Sequence, residues 1–391
     1  MNNLPLFARD LKKGLFWTVL LTIVYLWKSQ TMANATDFMF ALPFFIVSYV
    51  ILFSIGRDGT VSYLHELTGK NKLRALILPA AVLLYYAFYL LINGKNPLEG
   101  NPMLIIFIML FPAALLVFKR NAHIGWIDFT VFTLILLPAV LLKTKQNSEI
   151  PISGNSFDSL FRILVMLSAV YSFSMIRNIR EVGFYPEMKW KSLGTALWVW
   201  IAFFAFAFLV GYSVGFFRWA GYEKSGIQYI QTLVFTLAGT FLHTALFEEL
   251  FFRGILQNIL ARRIGQAKSW KTFWIVGFVV LLIGALIVGY TLEGKMKWFP
   301  AAITVMMFGA AWALEKSGKF GRGVYTSLAI TGVIFGLVHY HAQSIIYIGF
   351  ACLAGWAYGY TYIKTKNVFY SALVHTLVNA SSLIFGLEML R

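Results

Sequence analysis

The sequence predicts an all-α protein, a polytopic transmembrane helical bundle of about 13 helices. Two observations carry this. The 391 residues are 59% hydrophobic and 13% charged, with a mean hydropathy of +0.72; a soluble domain is nearer about 45–50% apolar and about 25% charged. The apolar residues are also gathered into runs, most of which approach the roughly 20 residues needed to cross a bilayer.

The runs, in order, begin with a short one at 14–27. LKK precedes it and Ala33-Asn34-Ala35 resembles a signal-peptide cleavage site, but Lys28 and the polar stretch behind it fit a first transmembrane helix better. Runs at 38–56, 75–93, 102–118, 124–142 and 159–176 follow, then 193–217, 228–250, 273–291, 298–314, 323–340, 345–363 and 367–388. The connections are short, and no internal repeat, low-complexity tract or soluble domain interrupts them. The longest polar stretches, 143–158 and 177–192, mark a seam between an N-terminal and a C-terminal bundle.

Net charge is +17. In a soluble chain that would suggest nucleic acid. Here the basic residues lie between apolar runs, so the bilayer is the expected partner and nucleic acid is not. Taking alternate connections, one set holds 22 Lys and Arg and the other 9. The positive-inside rule then places the N-terminus in the cytoplasm and the C-terminus outside, in a multi-pass protein of the cell membrane. The single cysteine, Cys352, lies in an apolar run and reads as a small packing residue.

Three polar constellations stand inside apolar runs. The first is FEELFFRG, Phe247 to Gly254. Each charge at mid-membrane costs roughly 2.5–3.5 kcal/mol on insertion scales, so idle ones are rare. On an α-helix Glu249 and Arg253, four apart with the acid first, share a face and form an ion pair. Glu248 falls about 140° away from Arg253 round such a helix and is left without a local counter-charge. The second constellation is FGLVH, Phe335 to His339, and the third HTLVN, His375 to Asn379. At about 1.5 Å per residue from the nearest cytoplasmic basic residue, Glu248, His339, His375 and Asn379 lie roughly 21, 25, 14 and 20 Å deep. They can share one depth. A carboxylate, two imidazoles and an amide suit hydrolysis. A carboxylate withdrawn from water is a general base, and His N–H and Asn amide groups can donate to an oxyanion. No serine or cysteine stands in these motifs, which favours direct attack by water. Other polar residues read as structural: His243 as a packing residue facing another helix, His341 as a loop residue, and Asp158 with Arg162 as a snorkelling ion pair.

At these residues the sequence resembles the CPBP family of intramembrane glutamic-type endopeptidases, which includes the type II CAAX prenyl endopeptidases. The family pattern is EExxxR, then FxxxH, then HxxxN or HxxxD; EELFFR, FGLVH and HTLVN match it in order. The resemblance covers roughly 228–388. It implies Glu248 as general base, His339 as a water-activating residue, and His375 and Asn379 as oxyanion donors. Glu249, Arg253 and Phe335 occupy the remaining motif positions as supporting residues. The resemblance implies a glutamate-dependent reaction without a cofactor; a divalent metal such as zinc stays open, although no HExxH is present.

The spacing between the first two motifs departs from the family pattern. The 81 residues between Arg253 and Phe335 hold an extra helix pair near 273–314, which crosses twice and returns the chain to the same side. The expected division is a membrane region of unknown role at 1–225 and a protease domain at 226–391. The expected function is cleavage of a membrane-associated protein or peptide. A transporter or channel, and a catalytically silent membrane scaffold, are the alternatives.

Overall fold

A computed structural model describes residues 3–29, 35–69, 71–99, 101–120, 123–141, 160–222 and 225–390. Fourteen helices make up the described chain. They are α1 (Leu4–Ser29), α2 (Ala35–Ile55), α3 (Asp58–Gly69), α4 (Arg74–Ile92), α5 (Pro102–Lys119), α6 (Trp126–Leu141), α7 (Leu160–Ile176) and α8 (Trp190–Ser213). After strand β1 (Phe217–Trp219) come α9 (Gly226–Gln266), α10 (Trp270–Thr291), α11 (Phe299–Lys316), α12 (Val324–Ala342), α13 (Ile345–Thr365) and α14 (Val368–Phe385), then strand β2 (Leu387–Met389).

Each of the thirteen apolar runs forms a helix over most of its described residues, with 193–217 and 367–388 running on into β1 and β2, and the all-α polytopic reading holds. Helix α3 is the addition, formed where the sequence reads as a connection. Asp58 in its first turn complements the exposed N–H groups there, and α3 is bent by 88° from α2. By length and composition, seven helices can cross a membrane: α4, α5, α8, α9, α10, α12 and α14; counting α2 with α3 gives an eighth. The other runs fall short for local reasons. Helix α1 carries Arg9, Asp10, Lys12 and Lys13, α6 and α7 are short, α11 ends in the charged Glu315 and Lys316, and Gly and Tyr dilute α13.

The chain forms two compact units. The first holds Met1–Glu187 and Leu242–Phe251. Its centre is α7, whose residues from Ile163 to Ile176 are all buried. The chain leaves α7 through Arg177, which forms a buried ion pair with Asp128 (Nε to Oδ1 2.6 Å, Nη2 to Oδ2 3.2 Å) and also donates to the His123 carbonyl. Arg57 pins the segment that follows, donating to the Pro186 carbonyl at 2.6 Å. The polar stretch 177–192 is therefore held at Arg177 and at Pro186 by two buried guanidinium groups. The other polar stretch, 143–158, lies outside the described residues, as do Ala33, Asn34 and Asp158.

The second unit holds Met188–Phe241 and Phe252–Arg391. Its core is the crossing of α12 and α13. Small residues let the two backbones touch, as in membrane helix pairs generally. A Cβ on Gly355 would lie 2.7 Å from the Gly332 carbonyl oxygen, and one on Gly336 would strike Cys352. Cys352 is fully buried, a packing residue with its Sγ 3.7 Å from the Val333 carbonyl. The extra helix pair is α10 and α11. Only 11% of α10's apolar window is buried, so its Ile275, Val279 and Ile283 are presented outward, as a lipid-facing helix requires. Helix α11 ends in Glu315, whose buried carboxylate accepts from the backbone N–H groups of Gly323, Tyr325 and Thr326. These are the otherwise unpaired donors at the start of α12, so the extra pair braces the helix that carries Phe335 and His339.

Replacing Glu315 by Ala should therefore lower stability by about 1–3 kcal/mol, read as a fall in the detergent-solubilised unfolding temperature. Gly355→Val should prevent folded protein from accumulating, because neither backbone can retreat without opening the crossing.

Candidate active site

Helix α9 carries the first motif, and its hydrogen bonding departs from the α pattern on both sides of the glutamates. Thr240–Ala245 and Leu250–Gln257 are π-helical, with only Leu246–Glu249 between them α-helical. Wide turns of this kind gather at functional sites. The i→i+5 bonding also changes the phase of the helix, so the α-helical wheel that sets Glu248 apart from Arg253 does not apply across Leu250–Gln257.

In the first unit, Glu249 is fully buried and Glu248 half-buried. Among the described residues, no group donates to the buried Oε2 of Glu248. One turn away, His243 Nε2 lies 3.1 Å from Arg162 Nη1. A guanidinium only donates, so Nε2 accepts and the neutral ring carries its proton on Nδ1. The Arg162 guanidinium also stands 4.5 Å from the centre of the Phe247 ring. His243 thus faces another helix, as expected, and Arg162 is its partner.

In the second unit, Arg253 is fully buried. Its Nη2 donates to the Gly355 carbonyl at 3.0 Å, and its guanidinium lies 4.5 Å from the centre of the Phe335 ring. One turn on, Gln257 donates to the Gly359 carbonyl and Asn258 to the Tyr362 hydroxyl. Helix α9 therefore reads along α13 at four-residue steps. The glycines matter because they leave these carbonyls approachable.

Phe335 is the hub. Its ring meets Phe252, Tyr358 and His375 edge to face at 5.2, 5.7 and 5.7 Å, and the His339 ring at 4.8 Å. Beyond Leu337 the α-helix tightens into a 3-10 turn, which leaves carbonyls at its end without α-helical partners. The Phe335 carbonyl takes the His339 side chain instead, with Nδ1 at 2.7 Å. A carbonyl only accepts, so Nδ1 carries a proton and donates to it. His341, by contrast, is exposed in the turn. His375 is buried on α14, stacked on the Tyr358 ring at 4.6 Å and 11°.

A cavity of about 200 Å³ opens beside this hub. Phe335, His339, His375 and Asn379 all line it, with Tyr347 and Tyr358. Asn379 is exposed one turn beyond His375. Phe203, Phe216, Phe217 and Phe350 supply an aromatic wall. The second and third motifs therefore meet at one cavity of the second unit. Tyr358 is the residue that motif reasoning misses. Its signal is faint: a tyrosine between Gly355 and Gly359, in a spacing that marks close helix contact. Among the described residues, no three His, Cys, Asp or Glu side chains form a metal-holding group.

Arg253→Lys should lower stability by about 1–3 kcal/mol, because an ammonium cannot both lie flat on Phe335 and reach the Gly355 carbonyl. Denaturation of the purified variant reads it. Arg253→Met should cost more, since it leaves the carbonyl without a donor.

A family model described as type II CAAX prenyl endopeptidase Rce1-like matches residues 230–321 and 312–381. No curated protein and no solved structure matches the chain significantly. The match runs through all three motifs and supports an intramembrane protease of the CAAX type in this region. The resemblance read from EELFFR, FGLVH and HTLVN is thereby supported: the C-terminal region of this multi-pass membrane protein matches the Rce1-like family model.

Proposed function

We propose that residues 226–391 form an endopeptidase that hydrolyses a peptide bond of a membrane-associated protein or peptide with glutamate-activated water. The observation that carries this reading is the convergence of His339, His375 and Asn379 on one largely aromatic cavity, in the stretch matched by the Rce1-like model.

The roles follow the motif order. Glu248 takes a proton from water as the water oxygen bonds to the scissile carbonyl carbon. His339 helps to hold and activate the water. His375 and Asn379 donate to the oxyanion that forms. The C–N bond then breaks and the proton held by Glu248 passes to the departing nitrogen, giving a new carboxylate and a new amine. Glu249 and Arg253 support the site without touching substrate, and Phe335 supports it from the cavity lining. No step needs a cofactor, so chelation should leave cleavage unchanged; loss on chelation with recovery on adding zinc would contradict the mechanism.

The substrate class follows from the name of the matched family: a lipidated C-terminal peptide is the first to test. The apolar wall of Phe203, Phe216 and Phe350 suits a membrane-borne chain. The uneven distribution of Lys and Arg assigns the N-terminus to the cytoplasm and the C-terminus to the outside.

Glu248→Gln keeps the shape of the side chain and removes the base. In cells carrying it at wild-type expression, substrate termini generated by the wild type should vanish from the membrane and secreted fractions, with turnover down by about 10²–10⁴. Identical terminus maps in both cells would refute the reading. Asn379→Ala should lower kcat by about 10²–10³ with little change in fold.

A further inference from the structure

The second unit contains a two-stranded antiparallel ribbon. Strand β1 pairs with β2 so that Phe217 faces Met389, Arg218 faces Glu388 and Trp219 faces Leu387. Just beyond the strands, Leu390 N–H donates to the Phe216 carbonyl and Ala220 N–H to the Gly386 carbonyl, both at 2.9 Å. In an antiparallel ladder, hydrogen-bonded pairs alternate with pairs whose N–H and C=O groups point away from the partner. The ribbon's own bonds therefore belong to 216/390, 218/388 and 220/386. The backbone N–H and C=O of Leu387 and Met389 are directed out of the β2 edge, and no third strand pairs there among the described residues.

A cavity of about 580 Å³ lies along that edge. Gly386, Leu387, Glu388 and Met389 line it, and no residue of β1 does. Tyr222 and Tyr229, ring to ring at 5.4 Å, stand among its other walls. Met389 and Ser382 line both this cavity and the one that holds His339, His375 and Asn379. The two spaces adjoin, with Met389 at the join. The geometry is also fixed by the chain. Helix α14 carries His375 and Asn379, ends at left-handed Gly386 with φ +62°, and passes directly into β2.

We propose that the outer edge of β2 is the substrate-binding edge: the peptide segment next to the scissile bond adds to the ribbon as a third strand. It pairs with the outward N–H and C=O groups of Leu387 and Met389. It then passes Met389 into the histidine cavity. This rests on the proteolytic reading given above and adds to it how the substrate is held. A peptidase must hold its substrate extended to present one carbonyl, and pairing with a strand edge does this through the peptide backbone, whatever its side chains. The ribbon is suited to the task. Its charged face, the Arg218–Glu388 ion pair at 2.6 Å, is turned to solvent, while Phe217 and Met389 face the histidine cavity.

The test uses the purified full chain in lipid nanodiscs. The probe is an internally quenched peptide with a farnesylated cysteine four residues from its C-terminus. A matched set carries one N-methylated backbone amide each, at successive positions. Binding is read by fluorescence anisotropy and cleavage by dequenching. In the wild type, N-methylation should weaken binding at least tenfold at every second amide and leave the amides between them unaffected, with kcat within about twofold, the period-two mark of an edge-paired strand. Met389→Pro removes one outward donor but none of the ribbon's own bonds, and should raise KM about fivefold or more for the parent peptide. A flat N-methyl scan of binding, or no binding at all, overturns the edge proposal whatever the Pro variant does. Cleavage with a flat scan overturns the edge alone, whereas a period-two scan without Glu248-dependent cleavage supports the edge and counts against the proteolytic reading.

Discussion

The second unit is organised by one buried cation. Arg253 is fully buried between the Gly355 carbonyl and the face of Phe335. A guanidinium in that position is costly unless its donors and its π face are both used. Meeting both demands fixes α9 against α13 and Phe335 against α9 at once. Gln257 and Asn258 continue the same register, to the Gly359 carbonyl and the Tyr362 hydroxyl. Once Phe335 is placed, its edge contacts set His375 and Tyr358, and its backbone carbonyl orients His339. The motif arginine is thus an architectural residue, and the histidines inherit their positions from it.

Low dielectric explains why the arrangement uses these residue types. Polar groups at membrane depth need partners inside the protein. Glycine supplies backbone carbonyls that a neighbouring helix can reach, and Gly355 and Gly359 do so for Arg253 and Gln257. The same small residues let α12 and α13 touch through Gly332 and Gly336. Where α12 ends, its unpaired carbonyls become useful, and His339 exploits one. Where it begins, Glu315 from the extra helix pair neutralises its N–H groups. The extra pair is therefore tied into the unit that holds the site, at the far end of the helix that carries His339.

Much of this was legible in the sequence. Composition and run length foretold thirteen helical segments, because burying a helical backbone in lipid demands long apolar runs. The second and third motifs place His339, His375 and Asn379 at one cavity, whereas Glu248 of the first motif, expected at the same depth, is not among the residues that line it. The rest depended on information that a linear pattern does not hold. Helix α3 is polar enough to read as a loop and is shaped by its 88° bend from α2. The π turns of α9 leave no compositional mark, so the face argument for Glu248 rested on the wrong helical phase. Strands of three residues, FRW and LEM, are too short to show alternation, and their pairing joins positions 170 residues apart. The Gly355 carbonyl and the Phe335 ring that hold Arg253 come from two other helices, and backbone acceptors are invisible in a sequence.

The most direct test of the account is to locate the reacting carbonyl. A farnesylated peptide aldehyde hydrates to a mimic of the tetrahedral intermediate. With a diazirine on the residue that bears the aldehyde, it can be photolysed on the full chain and the labelled residues mapped by mass spectrometry. The account predicts labels on Tyr347, Phe350, Tyr358 or Asn379, the lining of the histidine cavity, and their loss when excess unlabelled aldehyde is present. Competable labelling confined to residues outside that lining would contradict it.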